Sequence, residues 1–89
     1  MRSIIYTSQF KKDFKHIQKQ NKDLAKLKTV ITKLAAGEIL DDKFKDHALQ
    51  GNYVGARDCH ISPDWLLIYV IDDDELRLVR TGSHSELFE

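Results

Sequence analysis

The sequence offers little that could crosslink the chain or carry it into a membrane. It has a single cysteine, Cys59, which excludes an internal disulfide and suits a reducing compartment. No apolar run approaches the roughly 18 residues that a membrane-spanning helix needs. The opening stretch, MRSIIYTSQF, has too short an apolar run for a signal peptide. At 89 residues, we expect one small cytoplasmic domain with no membrane partner.

The net charge of zero conceals an uneven distribution of charge along the chain. Residues 1–45 carry 11 Lys or Arg against 5 Asp or Glu, a net charge of +6. Residues 46–89 carry 3 against 9, a net charge of −6. A basic half of this kind is typical either of contact with nucleic acid or an acidic protein, or of a solvated lysine-rich helix surface.

Apolar residues in the first half recur at helical spacing. A short β-branched strand at residues 3–7 comes first, and two helical segments follow it. Asn21 is a suitable N-cap for the second helix, and Gly37 lies where a left-handed residue would end it. The segments predict a helical hairpin with two apolar stripes, formed by Phe10, Phe14 and Ile17 and by Leu24, Leu27, Ile31 and Leu34.

The second half changes to strand-like patterning. Runs at residues 53–61, 65–71 and 76–82 are separated by the tight turns SPD and DDDE, which favours an antiparallel meander. The middle run is almost entirely apolar, so we expect a central strand covered on both faces. The predicted fold is α+β: an N-terminal strand and a two-helix hairpin packed on a twisted antiparallel sheet of about four strands.

Three histidines lie in short polar motifs near predicted strand ends: His47 in KDHALQG, His60 in RDCHISPDW and His84 in RTGSHSELF. Neighbouring strand ends can converge, so one cleft could hold all three. Histidine titrates near neutrality, so one imidazole could take the proton of a ribose 2′-hydroxyl while another protonates the departing 5′-oxygen. Arg80 could stabilise charge on the phosphate, and an aromatic ring could stack on a base. This chemistry needs no metal.

Two alternatives to catalysis stay open when only the residues are considered. The histidines could be ordinary surface residues, as we expect for His16 in the basic first helix. With Asp64 they could also bind zinc, although the sequence has no HxH or HExxH pairing. It also lacks a P-loop, a GxGxxG and an EF-hand loop.

Together, KDHALQG, RDCHISPDWLLIY and RTGSHSELF resemble, in order and spacing, the motifs of the YafQ branch of the RelE/ParE superfamily. These are toxins of bacterial type II toxin–antitoxin systems, and the resemblance covers nearly the whole chain. It implies a RelE-like fold and an endoribonuclease that cuts messenger RNA on the translating ribosome. It also implies a cognate antitoxin that wraps the toxin, with operator DNA bound only through the antitoxin complex.

We expect the residues at the family's motif positions to take particular roles. His84 would be the general acid, with His47 or His60 as its partner, and Asp64 would act as a base or orient a histidine. Ala48 departs from the family, which often has proline there. The alternative is a non-catalytic, ParE-like module acting on DNA gyrase, which does not require the histidines. The implied catalytic set is His47, His60, Asp64, Arg80, His84 and Phe88, and the candidate substrate-binding residues are Trp65, Lys11, Lys15 and Lys22.

Overall fold

The two predicted helices form where the apolar stripes place them. In the computed structural model, which describes residues 1–88, α1 spans Ser8–Lys19 and α2 spans Leu24–Ala35. Thr7 caps α1 by accepting a hydrogen bond from a backbone N–H of the first turn. Asp23, and not Asn21, caps α2, because Asn21 has a left-handed backbone (φ 57°) in the turn between the helices.

The sheet has five strands and is mixed, which corrects the prediction of about four antiparallel strands. Its order is β1-β5-β4-β3-β2, and β1 pairs with β5 in parallel. The helical hairpin carries the chain from β1 at one edge of the sheet to β2 at the other edge, and the antiparallel strands β3 and β4 then lead back to β5. The missed strand, β2, has only two residues, too few to show a period. The strands are β1 Ser3–Tyr6, β2 His47–Ala48, β3 Arg57–Ser62, β4 Trp65–Asp72 and β5 Glu75–Gly82.

The first strand of the predicted meander is shorter than its sequence pattern indicated. Residues 53–56 form a turn instead, in which the Ala56 N–H donates to the carbonyl of Tyr53 and Gly55 has a left-handed φ of 91°. β3 therefore begins only at Arg57. A short 3-10 segment, Gly51–Tyr53, precedes this turn and carries the Tyr53 ring towards the C-terminal helix α3, His84–Phe88.

The central strand β4 is covered on both faces, as its apolar sequence predicted. Trp65 and Leu67 belong to the main core, which α1 and α2 cover. Leu66 and Ile68 point the other way and pack with Leu87 of α3. The short tail helix is thus held against the sheet face opposite the helical hairpin. Among residues 1–88, no helix is long and apolar enough to span a membrane.

Candidate active site

Five aromatic and imidazole rings follow one another at one end of the sheet. The ring centroids of His47 and His60 are 6.5 Å apart, and those of His60 and His84 are 5.6 Å apart. Phe88 lies 6.1 Å from His84, and Tyr53 lies 5.8 Å from Phe88. We call these five residues the ring row. Three segments that are distant in sequence therefore bring the histidines into one site.

His47 is held in one orientation by backbone contacts. It lies on β2 directly opposite Asp58 of β3. Its Nδ1 is 2.7 Å from the carbonyl oxygen of Lys45, so Nδ1 carries the proton and donates it. Its Nε2 then faces the site, 3.8 Å from a carboxylate oxygen of Asp58.

His84 is oriented by Asp64 across the end of the sheet. One carboxylate oxygen of Asp64 accepts from the backbone N–H of His84 and from its Nδ1, both at 3.3 Å. These two hydrogen bonds, the backbone one first, lower the pKa of Asp64 below its usual value. An ionised carboxylate with a lowered pKa is a weak base, so the geometry suits Asp64 to orienting the imidazole and leaving its Nε2 free.

The environment of His60 favours its neutral form. Partial burial lowers the pKa of this imidazole, and the nearby charges of His84, Lys45 and His47 add smaller effects in the same direction. The carboxylate of Asp58 opposes them. At neutral pH a histidine in this setting is unprotonated and able to accept a proton.

Asp58 is a member of the site that the sequence analysis missed. Its carboxylate is almost fully buried (2% exposed) beneath the histidines, and one of its oxygens has no hydrogen-bond partner within residues 1–88. Burial raises the pKa of Asp58, whereas the charges of His47, His60 and His84 lower it. The signal was available, since residues 58 and 60 are two apart on a strand and so share one face.

Asp58 does not pair with its neighbour Arg57, whose partner is Asp46. Adjacent residues of a strand point to opposite faces. The Nε of Arg57 donates to Asp46 at 3.0 Å. This bond raises the pKa of Arg57 and secures the segment that leads into β2.

Arg80 is fixed by a carboxylate from α1. Its Nε and Nη2 donate to the two oxygens of Asp13, both at 3.0 Å, and the Thr81 N–H donates to the same carboxylate at 3.3 Å. This paired contact raises the pKa of Arg80, and the nearby Tyr53 has a smaller effect in the same direction. The guanidinium therefore lies beside Tyr53, at one end of the ring row, and remains positively charged.

The C-terminal segment forms a helix through Phe88; Glu89 lies outside the described residues. Ser83 and Glu86 form a reciprocal cap, in which the Ser83 N–H donates to Glu86 at 2.8 Å and the Glu86 N–H donates to the Ser83 hydroxyl at 3.2 Å. The other carboxylate oxygen of Glu86 is 2.7 Å from Nε2 of His16. His16 thus contacts the tail, rather than being only a surface residue of α1.

Trp65 does not present a stacking surface, which corrects its assignment as a substrate-binding residue. Its ring is 2% exposed within the main core. The indole N–H donates to the hydroxyl of Thr81 at 2.9 Å, and that hydroxyl donates to the Leu66 carbonyl at 2.8 Å. A base therefore has no access to either face of the ring.

The three candidate lysines lie in two different places. Lys22 is close to the site: its ammonium is 5.6 Å from the centre of the Trp65 ring, and its charge contributes to the lowered pKa of Asp64. Lys11 and Lys15 line a separate apolar groove between α1 and α2, which no member of the ring row lines. The structure therefore brings only Lys22 to the site.

Neither a metal centre nor a thiol nucleophile is evident in the part of the chain that the structure describes. Within it, no three His, Cys, Asp or Glu side chains are arranged to hold a metal ion. Cys59 is fully buried on the helix-covered face, and burial raises its pKa to about 12. A thiol in that state is not a nucleophile at neutral pH.

Comparison with known proteins gives one consistent result. The mRNA interferase toxin YafQ of Escherichia coli strain K12 is 48% identical over 88 residues, which cover 98% of this chain and 96% of that protein. The E. coli DinJ–YafQ complex contains a chain that superposes with a TM-score of 0.93 at 47% identity, with full coverage of both chains. A metal-bound toxin from Helicobacter pylori superposes with a TM-score of 0.92 at 44% identity, covering 99% of this chain and all of that one.

The family model for YafQ, described as the bacterial toxin of a type II toxin–antitoxin system, matches residues 2–89. The match spans all three histidine motifs and both helices of the hairpin. The chain therefore belongs to the YafQ family of type II toxin–antitoxin toxins.

Proposed function

We propose that this toxin is a ribosome-associated endoribonuclease that cuts messenger RNA by metal-independent acid–base chemistry and so inhibits translation. The observation that carries the proposal is the 5.6 Å separation of the His60 and His84 rings, two imidazoles set for opposite proton transfers. Membership of the YafQ family and 48% identity to a protein named as an mRNA interferase support this activity.

His60 is the general base in this mechanism. Its lowered pKa keeps it neutral, so it removes the proton of the ribose 2′-hydroxyl. The 2′-oxygen then forms a bond to the adjacent phosphorus, and the bond from phosphorus to the 5′-oxygen breaks. His84, whose Nδ1 is held by Asp64, donates the proton of its Nε2 to the departing oxygen. The products are a 2′,3′-cyclic phosphate and a 5′-hydroxyl.

The surrounding residues stabilise and position the reacting strand. Arg80 lies at the Tyr53 end of the ring row, where its guanidinium offsets charge that develops on the phosphate oxygens. The ring of Phe88 is 43% exposed beside His84 and supplies a stacking surface for a base. His47 adds a third imidazole, whose Nε2 faces the same site.

The same proposal includes the partners. A cognate antitoxin neutralises the toxin in the cytoplasm, as the solved complex of E. coli YafQ with DinJ suggests by analogy. Operator DNA is bound only through that antitoxin complex. Lys22 contacts RNA next to the site, and Lys11 and Lys15 contact ribosomal RNA or the acidic side of the antitoxin.

The decisive experiment supplies purified toxin to ribosomes programmed with an mRNA whose cleavage site has been mapped by primer extension. We expect cleavage in excess EDTA, a 2′,3′-cyclic phosphate at the new end, and no cleavage when the scissile nucleotide is 2′-deoxy. Loss of activity in EDTA would show that a metal takes part. Uncut mRNA together with inhibition of DNA gyrase would favour the ParE-like alternative.

Replacing Asp58 by Asn is expected to stabilise the fold and to slow cleavage. The raised pKa of Asp58 means that the folded protein holds this proton more tightly than the unfolded chain. Stability is therefore lost as pH rises from the unfolded value of about 3.9 through the folded pKa. Asp58→Asn removes that loss of stability. We expect the free energy of unfolding of the variant to exceed that of the wild type by about 1 kcal/mol at pH 7 and to equal it at pH 3.

The same substitution changes the pH dependence of cleavage. Asp58 is the carboxylate that raises the pKa of His60, so removing its charge lowers that pKa further. The acidic limb of the kcat/KM profile should move to lower pH, and the maximal rate should fall by about tenfold as the base weakens. Urea unfolding at the two pH values and a pH–rate profile check this, and an unmoved acidic limb would contradict the assignment of His60 as the base.

A further inference from the structure

A second cavity opens directly beside His60. It has a volume of about 550 Å³ and lies between the first turns of α2, the 3-10 segment Asp42–Phe44 and the end of β3. His60 belongs to both this cavity and the histidine site, and Ile61 and Ser62 continue the cavity wall along β3. We call this cavity the lysine pocket, after the three lysines that line it: Lys26, Lys43 and Lys45.

The described lining of the lysine pocket has a net positive charge, with three lysines and one carboxylate. Asp23, a carboxylate in the described lining, already accepts the backbone N–H of Ala25 at 3.1 Å as the cap of α2. The ammonium of Lys43 lies 5.3 Å from the centre of the Phe44 ring, a cation–π contact at the pocket. The charge of Lys45 reaches the catalytic site itself, since it contributes to the lowered pKa of His60.

The size and position of the pocket decide what could enter it. Cavities of about 300–1,000 Å³ hold ligands of nucleotide size, whereas a protein helix needs a longer groove. An RNA strand that reacts at His60 continues in both directions from the scissile phosphate. Phe88 and Tyr53 lie at one end of the ring row; towards the other end, where the His47 ring is 6.5 Å from that of His60, the lysine pocket borders His60.

Building on the nuclease function proposed above, we propose that the lysine pocket binds the sugar–phosphate backbone of an RNA strand next to the scissile phosphate. The ammonium groups of Lys26 and Lys43 contact phosphate oxygens, and the hydroxyls of Thr29 and Ser62 in the lining offer hydrogen bonds to the strand. This gives the toxin a subsite that is distinct from the proton-transfer groups.

The test is a cycle that pairs a protein change with a change in the RNA. The double variant Lys26→Ala/Lys43→Ala is compared with Lys12→Ala/Lys19→Ala, which removes the same charge from exposed positions on α1 that do not line the pocket. Each is assayed on programmed ribosomes carrying mRNAs in which one phosphate flanking the scissile bond is a neutral methylphosphonate.

We expect the pocket variant to raise KM about tenfold with kcat unchanged, and to reduce the salt slope of log KM by about 1.4, or 0.7 for each lost contact. A methylphosphonate at one position should raise KM for the wild type and for the control variant but not for the pocket variant. That position then identifies the phosphate that the pocket binds. If no methylphosphonate couples but the variant binds ribosomes lacking mRNA more weakly, the bound strand is ribosomal RNA and the subsite beside the scissile phosphate is overturned.

Two other results would overturn the subsite. The first is a pocket variant that matches the control variant in KM and salt slope. The second is unchanged cleavage with weakened binding of the antitoxin, which would make the pocket a protein-binding surface. Failure of the nuclease function is distinguishable from both, because the wild-type toxin itself would then leave the mRNA uncut.

Discussion

Replacing His84 by Ala is expected to slow single-turnover mRNA cleavage by about 10²–10⁴-fold, the usual contribution of one general acid or base. In the mechanism proposed above, the proton for the departing 5′-oxygen comes from the Nε2 of this imidazole, whose Nδ1 contacts Asp64 at 3.3 Å. Because the His84 side chain is exposed, the free energy of unfolding should change by no more than about 0.5 kcal/mol.

The neighbouring residue supplies a matched control for this prediction. Ser85 is an exposed residue of the same short helix, so Ser85→Ala tests whether any change in α3 is harmful. We expect wild-type rates for that control. Cleavage by His84→Ala at the wild-type rate would remove His84 from the mechanism, whereas equal loss in both variants would point to a disturbed helix instead of a missing proton donor.

The elements that could be predicted from the sequence are those whose signal is local. The stripes of α1 and α2 and the apolar run of β4 repeat over several residues, and each formed as expected. β2 could not be predicted, because it has only two residues and is defined by its pairing with β3. The N-cap of α2 is Asp23 and not the predicted Asn21, because Asn21 adopts a left-handed backbone in the turn that connects the two helices.

The same division holds at the site. The histidines and Asp64 were found through short motifs, since each motif lies within one segment of chain. Asp13 was missed because its role depends on a contact with Arg80, 67 residues away in sequence. The spacing of Asp58 and His60 does place them on one strand face, but the burial of the Asp58 carboxylate is a property of the folded sheet.

Trp65 was a candidate both for the core and for RNA stacking, and mutation separates these two roles. We expect Trp65→Ala to lower the free energy of unfolding by about 3–5 kcal/mol, since removing a buried aromatic side chain leaves a cavity in the core. That is a large share of the total stability of about 5–15 kcal/mol that is typical of a domain. Urea unfolding followed by circular dichroism measures the loss without needing tryptophan fluorescence, which the variant lacks.

Trp65→Phe is the second variant that makes this test specific. It keeps an aromatic ring in the core but removes the N–H that donates to Thr81, so we expect a smaller loss of about 1–2 kcal/mol. In both variants, the cleavage rate of the folded fraction should remain near that of the wild type, because His60 and His84 keep their own supports. A stacking residue would behave in the opposite way: Trp65→Ala would weaken RNA binding at unchanged stability, and Trp65→Phe would retain both.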